Sequence, residues 1–217
     1  WNTKRNPVIR NWIKEDIRKI INYKASTIQC SSCTQIKTVG FIGLGKLGLT
    51  VAETIKNRGY NVIGYDIKPV GASFPITESI KELVLKSDIV FCAVQTPHDP
   101  LYGGEKLLPT ERADFDYSYL IRAVKDIVAV DKETTLVVIS TCLPGTFERE
   151  IKPLLSNKIK YIYNPFFIAM GTVARDFLNP EFVLIGGDDV EVLKHFYLKI
   201  HGRDNSLVTD ITTAEGI

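Results

Sequence analysis

No stretch of this chain approaches the roughly 18 to 20 consecutive apolar residues needed to cross a bilayer, and no charged-then-apolar leader opens it. Net charge is nearly absent: 27 Lys and Arg against 25 Asp and Glu leave +2, spread too evenly to attract nucleic acid or an anionic membrane surface. Cysteine is scarce, and four in 217 residues do not make a disulfide framework. Cys30 and Cys33 form a single CxxC, but zinc needs a second ligand pair. His98, His195 and His201 supply no matching HxxxH or CxxH, so no metal is expected. Cys92 lies inside an apolar run and Cys142 follows a strand end, and both are expected to pack as small hydrophobes rather than to act as nucleophiles. The remaining composition, 45% hydrophobic and 24% charged, is that of an ordinary globular chain able to build one large core or two modest ones. A cytoplasmic enzyme or binding protein is the expectation.

Against this plain background one segment stands out: Thr38-Val39-Gly40-Phe41-Ile42-Gly43-Leu44-Gly45-Lys46-Leu47-Gly48, a short apolar strand running into GxGxxG. Gly43 lets the chain turn out of the strand, Gly45 leaves room for a pyrophosphate to touch backbone, and Gly48 lets the next helix pack close to the sheet. An anion would then sit on the helix N-terminus, against the N–H groups of the Leu44–Leu47 turn and the helix dipole. The context is complete: a helix-like run from Lys46 to Arg58, a break at Gly59, and a second strand from Asn61 to Tyr65 that ends in Asp66. Asp66 falls at about the 20-residue offset expected for a carboxylate that accepts both adenosine ribose hydroxyls and repels a 2′-phosphate, so NAD is expected over NADP. A glycine-rich turn without ligand is the alternative.

Residues 1–35 differ from the rest. Ile9, Trp12, Ile13, Ile17, Ile20 and Ile21 recur at helical spacing between basic residues, which predicts an amphipathic helix, docked on protein or lying on a membrane surface, followed by a polar connector. From Ile36 strands and helices alternate. Helices are expected over Thr77–Lys86, Asp116–Val130, from Thr146 to Leu155 and over Val190–Ile200; strands over Ile89–Val94, Thr135–Ile139, Tyr161–Tyr163, Phe182–Ile185 and Ser206–Val208. Continuous apolar strands such as Ile89–Val94 are those of a parallel sheet covered on both faces. The predicted fold class is α/β, a Rossmann-like doubly wound parallel sheet over 36–217 with an extra N-terminal helical extension over 1–35. In such a sheet ligands bind beyond the carboxyl ends of the strands. That singles out Gly43 to Gly48, Asp66, Gln95 to Pro97, Ser140-Thr141 and Asn164 to Gly171.

Those loops resemble the UDP-glucose 6-dehydrogenase and GDP-mannose or UDP-N-acetylmannosamine dehydrogenase family. GFIGLGKLG is similar to its nucleotide turn, and Ser87 to Pro97 (SDIVFCAVQTP) resembles the strand and Thr-Pro turn bordering its cofactor. Ser140 to Thr146 (STCLPGT) resembles STVPPGT, and Asn164 to Gly171 (NPFFIAMG) stands where NPEFLREG is found. The resemblance implies a two-step, NAD-dependent oxidation of a sugar nucleotide at C6, alcohol to aldehyde to acid, through a cysteine thioester. It implies that Gly43, Leu44, Gly45, Lys46, Leu47, Gly48, Asp66, Thr96, Pro97, Ser140 and Thr141 hold NAD, with Thr141 also catalytic. Phe166, Phe167, Ile168 and Met170 would face the sugar. Taken alone, Thr141 also reads as a hydroxyl capping the next helix. Family enzymes carry the catalytic cysteine and a lysine-asparagine pair beyond a long connecting helix and pair through that region. With Trp1 at the start and Ile217 at the end, this chain is expected to be the cofactor domain of a longer, homodimeric protein, inactive by itself. Two departures lie within the match: Phe166 and Met170 replace glutamates, and Phe182 replaces an arginine. A phenyl ring relays no proton, so a silent NAD or sugar-nucleotide binding protein and a two-electron β-hydroxyacid dehydrogenase-like enzyme stay open as alternatives.

Overall fold

The computed structural model describes residues 36–102, 113–169, 171–187 and 189–217. The expected N-terminal helix, the Cys30 and Cys33 pair and Met170 lie outside them. Strands β1 (Thr38–Ile42), β2 (Asn61–Tyr65), β3 (Ile89–Cys92), β4 (Thr134–Val138), β5 (Ile159–Tyr163), β6 (Val183–Gly186) and β7 (Ser206–Thr209) form one sheet in the order β2-β1-β3-β4-β5-β6-β7. Helices α1 (Lys46–Asn57), α2 (Ile80–Lys86), α3 (Ser118–Val128), α4 (Val173–Leu178), α5 (Glu191–His201) and α6 (Ile211–Glu215) connect or follow them.

The apolar runs form strands because both of their faces are buried, and the period of two sends alternate residues to opposite cores. Val39, Phe41, Ile89, Phe91, Val137, Ile162 and Ile185 pack on one side with Val51 and Ile55 of α1 and Leu193 and Phe196 of α5. Ile42, Val90, Cys92, Leu136, Val138, Tyr161 and Leu184 pack on the other with Leu83 of α2 and Leu120, Val124 and Ile127 of α3. Among the described residues no helix is long and apolar enough to cross a membrane.

Two features depart from the expected parallel sheet. Outside β2, what would be a further strand is reduced to one bridge between Gly64 and Ile76, with Gly64 N donating to Pro75 O (3.0 Å) and Thr77 N to Gly64 O (2.8 Å). At the other side β2 to β5 are parallel, but β6 meets β5 antiparallel at the single pair Tyr163 and Gly186. A side chain closes that junction. Asn164, fully buried, donates from Nδ2 to Leu184 O (2.7 Å) and accepts from the Tyr197 hydroxyl.

Some element bounds move for local reasons. Thr77 is committed to the Gly64 bridge, so α2 begins after Ser79, whose hydroxyl accepts from Glu82 N at 3.2 Å. The helix expected from Thr146 to Leu155 is a wide helical turn, Phe147–Ile151, and a tight one, Lys152–Leu154; Pro153 has no N–H with which to continue an α-helix. The short α4 and α6 had no predicted counterpart.

The closest backbone packing lies between β1 and α1. Gly43 has φ +90°, and a Cβ on Gly48 would lie 2.1 Å from the Gly43 carbonyl oxygen. Gly48→Ala is therefore expected to cost about 1–3 kcal/mol or more. Urea denaturation should show a lower midpoint with an unchanged slope; an unchanged midpoint would refute this packing.

Candidate functional site

The three glycines of the turn have different neighbours. Gly43 N donates to Tyr65 O (2.9 Å), and a Cβ there would lie 2.7 Å from Ala93 O, so the turn is wedged where the ends of β1, β2 and β3 meet. Gly48 is closed by Gly43, whereas a Cβ on Gly45 would meet no heavy atom within 4 Å. Protein packing therefore explains Gly43 and Gly48 but not Gly45, whose open side leaves the backbone approachable. Gly45 caps α1 without a side-chain bond, and no acidic residue stands in the first turn. The first helical bond runs from Leu49 N to Gly45 O (2.9 Å), so the N–H groups before Leu49 have no partner within the helix.

Asp66 sits across this turn. Its Oδ2 accepts from Leu44 N (2.7 Å) and its Oδ1 from Lys68 N (2.9 Å). A carboxylate has about four acceptor positions, so two remain for hydroxyls. The Leu44 side chain is in the core (4% exposed). A free helix N-terminus, an open glycine and an acceptor carboxylate fit the diphosphate and the ribose of a dinucleotide.

Beyond β3 and β4 the structure brings together residues that are 45 positions apart in sequence. The Thr96 hydroxyl donates to Thr141 O (2.8 Å), and the Ser140 hydroxyl donates to Val94 O (2.7 Å). Pro97 O accepts from Asp116 N at 2.8 Å. Thr141 is exposed and Ser140 buried. The turn that follows takes its acceptors from side chains absent from the sequence reading. Cys142 N donates to the Tyr163 hydroxyl (3.1 Å) and Leu143 N to the Tyr117 hydroxyl (3.1 Å), while Gly145 N (2.7 Å) and Phe147 N (2.8 Å) donate to the two oxygens of Glu215. Capping here is the work of Glu215, not Thr141.

Phe166 and Phe167 lie past β5 at a cavity of about 300 Å³ that Phe177, Phe182, Tyr197 and His201 also line. Phe166 is half-buried and tilts against Phe177 (centroids 5.6 Å apart); Phe167 and Phe182, 52% and 37% exposed, meet at 5.2 Å. Ile168 packs on the first core. Two carboxylates line this cavity, Asp176 and Glu181; Asp176 accepts from the Thr172 hydroxyl and Ala169 N, and the Thr172 bond holds its pKa below the usual range. His201 has its Nε2 3.0 Å from Phe177 O and stacks on Tyr197, and burial lowers its pKa, favouring the neutral ring. The cavity is largely aromatic, and of its two acids Asp176 is already engaged. Among the described residues no group of three or more His, Cys, Asp or Glu could hold a metal ion.

The model of the UDP-glucose/GDP-mannose dehydrogenase family, NAD binding domain, matches residues 68–201. That of the D-isomer specific 2-hydroxyacid dehydrogenase, NAD binding domain, matches residues 10–100. A UDP-N-acetyl-D-mannosamine dehydrogenase of Methanococcus vannielii is 26% identical over 205 residues, 83% of this chain and 46% of the relative. UDP-glucose 6-dehydrogenase 1 of Glycine max is 28% identical over 158 residues, 67% of this chain and 32% of that protein. The solved UDP-glucose dehydrogenase of Pyrobaculum islandicum superimposes with a TM-score of 0.66 at 23% identity, over 83% of this chain and 48% of that one, a likeness of fold. The chain spans half the length of these proteins or less.

Cys92 and Cys142 are 0% and 3% exposed, and burial pushes both thiols up to about 12. A thiol with such a pKa carries almost no thiolate at neutral pH. Iodoacetamide at pH 7.5, followed by peptide mapping, should label neither cysteine in the folded chain and both in denaturant. Rapid labelling of either in the folded state would show an accessible nucleophile.

Proposed function

Because the chain belongs to the UDP-glucose/GDP-mannose dehydrogenase family, we propose that it is the NAD-holding part of a sugar-nucleotide dehydrogenase that oxidises a C6 alcohol towards the acid. The observation that carries this reading is the open face of Gly45 at an uncapped helix N-terminus, opposite the Asp66 carboxylate. Bound NAD supplies the hydride acceptor. The residues of the chain do the rest by position: the Gly43–Gly48 turn receives the diphosphate, with the backbone of Lys46 and Leu47 beneath it, and Asp66 accepts from the ribose. Thr96, Pro97, Ser140 and Thr141 border the nicotinamide, with the exposed Thr141 hydroxyl turned to catalysis. On the sugar side stand Phe166, Phe167, Ile168 and Met170. Neither buried cysteine suits the thioester step. That step is assigned to residues outside this chain, which by itself is inactive. The same reading places the whole protein in the cytoplasm as a homodimer with a nucleotide-sugar substrate.

One observation favours a second reading, a protein that binds NAD or a sugar nucleotide without turnover: at the cavity past β5 stands Phe166, a phenyl ring that relays no proton, where the family pattern has a glutamate.

The first reading requires NAD binding, and calorimetric titration with NAD and NADP tests it. NAD should bind more tightly. Asp66→Asn should weaken NAD by about tenfold, the order of one hydrogen bond to a charged group. Gly45→Val should weaken it at least as much with little change in melting temperature, since a Cβ at this position meets no protein atom within 4 Å and points into the space proposed for the ligand. Equal affinity for the two cofactors would remove the Asp66 assignment, and absence of binding would remove the function. NADH formation from UDP-glucose, GDP-mannose or UDP-N-acetylmannosamine by the whole protein would exclude the non-catalytic reading.

A further inference from the structure

We propose that Glu215, together with the hydroxyls of Tyr117 and Tyr163, is a positioning residue that sets the loop carrying Ser140 and Thr141, and so controls how the nicotinamide end of the cofactor is held. This rests on the cofactor reading above. The loop leaves β4 and turns at Pro144 and Gly145 (φ +85°), where neither strand nor helix supplies partners for its N–H groups. Four of them, at Cys142, Leu143, Gly145 and Phe147, are taken instead by side chains from three separate places: Tyr163 at the end of β5, Tyr117 at the start of α3, and Glu215 at the end of α6.

Glu215 is the demanding member of this set. It is 7% exposed, and burial raises its pKa. The nearest guanidinium, Arg149, pairs with Asp114 at 2.6 Å. What holds the Glu215 charge is two backbone N–H groups at the mouth of the Phe147–Ile151 turn, one on each oxygen, an arrangement that fixes both the place and the orientation of the peptide planes. Its base is firm: a Cβ on Gly186 of β6 would lie 2.6 Å from the Ala214 Cβ, so α6 is seated against the sheet with no room to slide. From this anchor the linkage runs through the loop to the Thr141 carbonyl, which accepts from Thr96. Thr96 and Thr141, two of the four residues that border the nicotinamide on this reading, are thus set by a carboxylate 74 positions further along the chain than Thr141.

A clamp that only stabilised the fold would affect every ligand alike. ADP-ribose separates the two roles, because it keeps the groups held by the Gly43–Gly48 turn and Asp66 and lacks nicotinamide. For Glu215→Gln, Glu215→Ala and Tyr163→Phe, calorimetry with NAD and ADP-ribose should show NAD weakened by about tenfold, the order of one charge-assisted bond. ADP-ribose should change by less than about twofold, within the spread expected of uncoupled sites. Hydrogen exchange at the amides of Gly145 and Phe147 should speed up in both Glu215 variants while that of β1 is unchanged. If Glu215→Ala does not fold, Glu215→Gln and Tyr163→Phe carry the test. Equal weakening of both ligands, or no weakening of NAD, would overturn the positioning role. A wild type that binds ADP-ribose and NAD alike and tightly, with variants unchanged, refutes this proposal alone; a wild type that binds neither refutes the cofactor reading and this proposal with it.

Discussion

The approach of α1 to the end of β1 is the constraint from which the rest of the site follows. With the Gly43 carbonyl where it is, nothing larger than a hydrogen fits on Gly48, and the helix axis is fixed against the sheet. That contact aims the first turn of α1 across the carboxyl ends of β1 and β3, where strand order reverses and a crevice must open. It also brings Leu44 N to Asp66, so the turn and the end of β2 are joined by a charge-assisted bond of 2.7 Å. The geometry that would bind a diphosphate is thereby a by-product of helix–sheet packing. Only Gly45 escapes this account, and its open side is where packing stops explaining the sequence and a ligand begins to.

The other half of the crevice is built on a different principle. Between β5 and β6 the ladder shrinks to a single pair, and side chains supplement it: Asn164 joins β6 and α5, and three acceptors hold the turn after β4. The aromatic cavity belongs to the same region. Phe166 leans on Phe177, Phe177 on Tyr197, and Tyr197 on His201. Phe166 is thus part of a contiguous apolar run, and the position at which the family pattern carries a glutamate is matched here by surroundings that would raise the energy of a charge.

Legibility followed range. The β1-α1-β2 unit could be read directly because its signals, three glycines, an apolar strand and Asp66, act within about 25 residues. The apolar strands could be read because parity alone assigns them to two cores. The reversal of β6 could not, since Phe182 to Ile185 is equally apolar in either direction and the deciding contact is one buried asparagine amide. The five-residue and six-residue helices α6 and α4 are too short to show a period. The wide turn after Thr146 reads as helix until Pro153 is weighed. Glu215 was invisible because its two partners lie 70 and 68 positions away.

These observations divide the proposed chemistry into a part the described residues can perform and a part they cannot. Four carboxylates near the crevice are already acceptors: Asp66 from Leu44 and Lys68, Asp114 from Tyr117 and Arg149, Asp176 from Thr172, and Glu215 from Gly145 and Phe147; Glu181, at the aromatic cavity, stands outside this set. A carboxylate engaged in this way gives up acceptor capacity that a general base needs. The Thr172 bond lowers the pKa of Asp176, whereas burial raises that of Glu215, whose oxygens face backbone and not open space. Asp66, Asp176 and Glu215 therefore hold backbone N–H groups in place. Proton transfer to or from a sugar, on the proposed reading, falls to groups outside this set. The division is physically economical, because an acid recruited to hold a cofactor turn at low energy as an anion is poorly suited to carry a proton during the reaction.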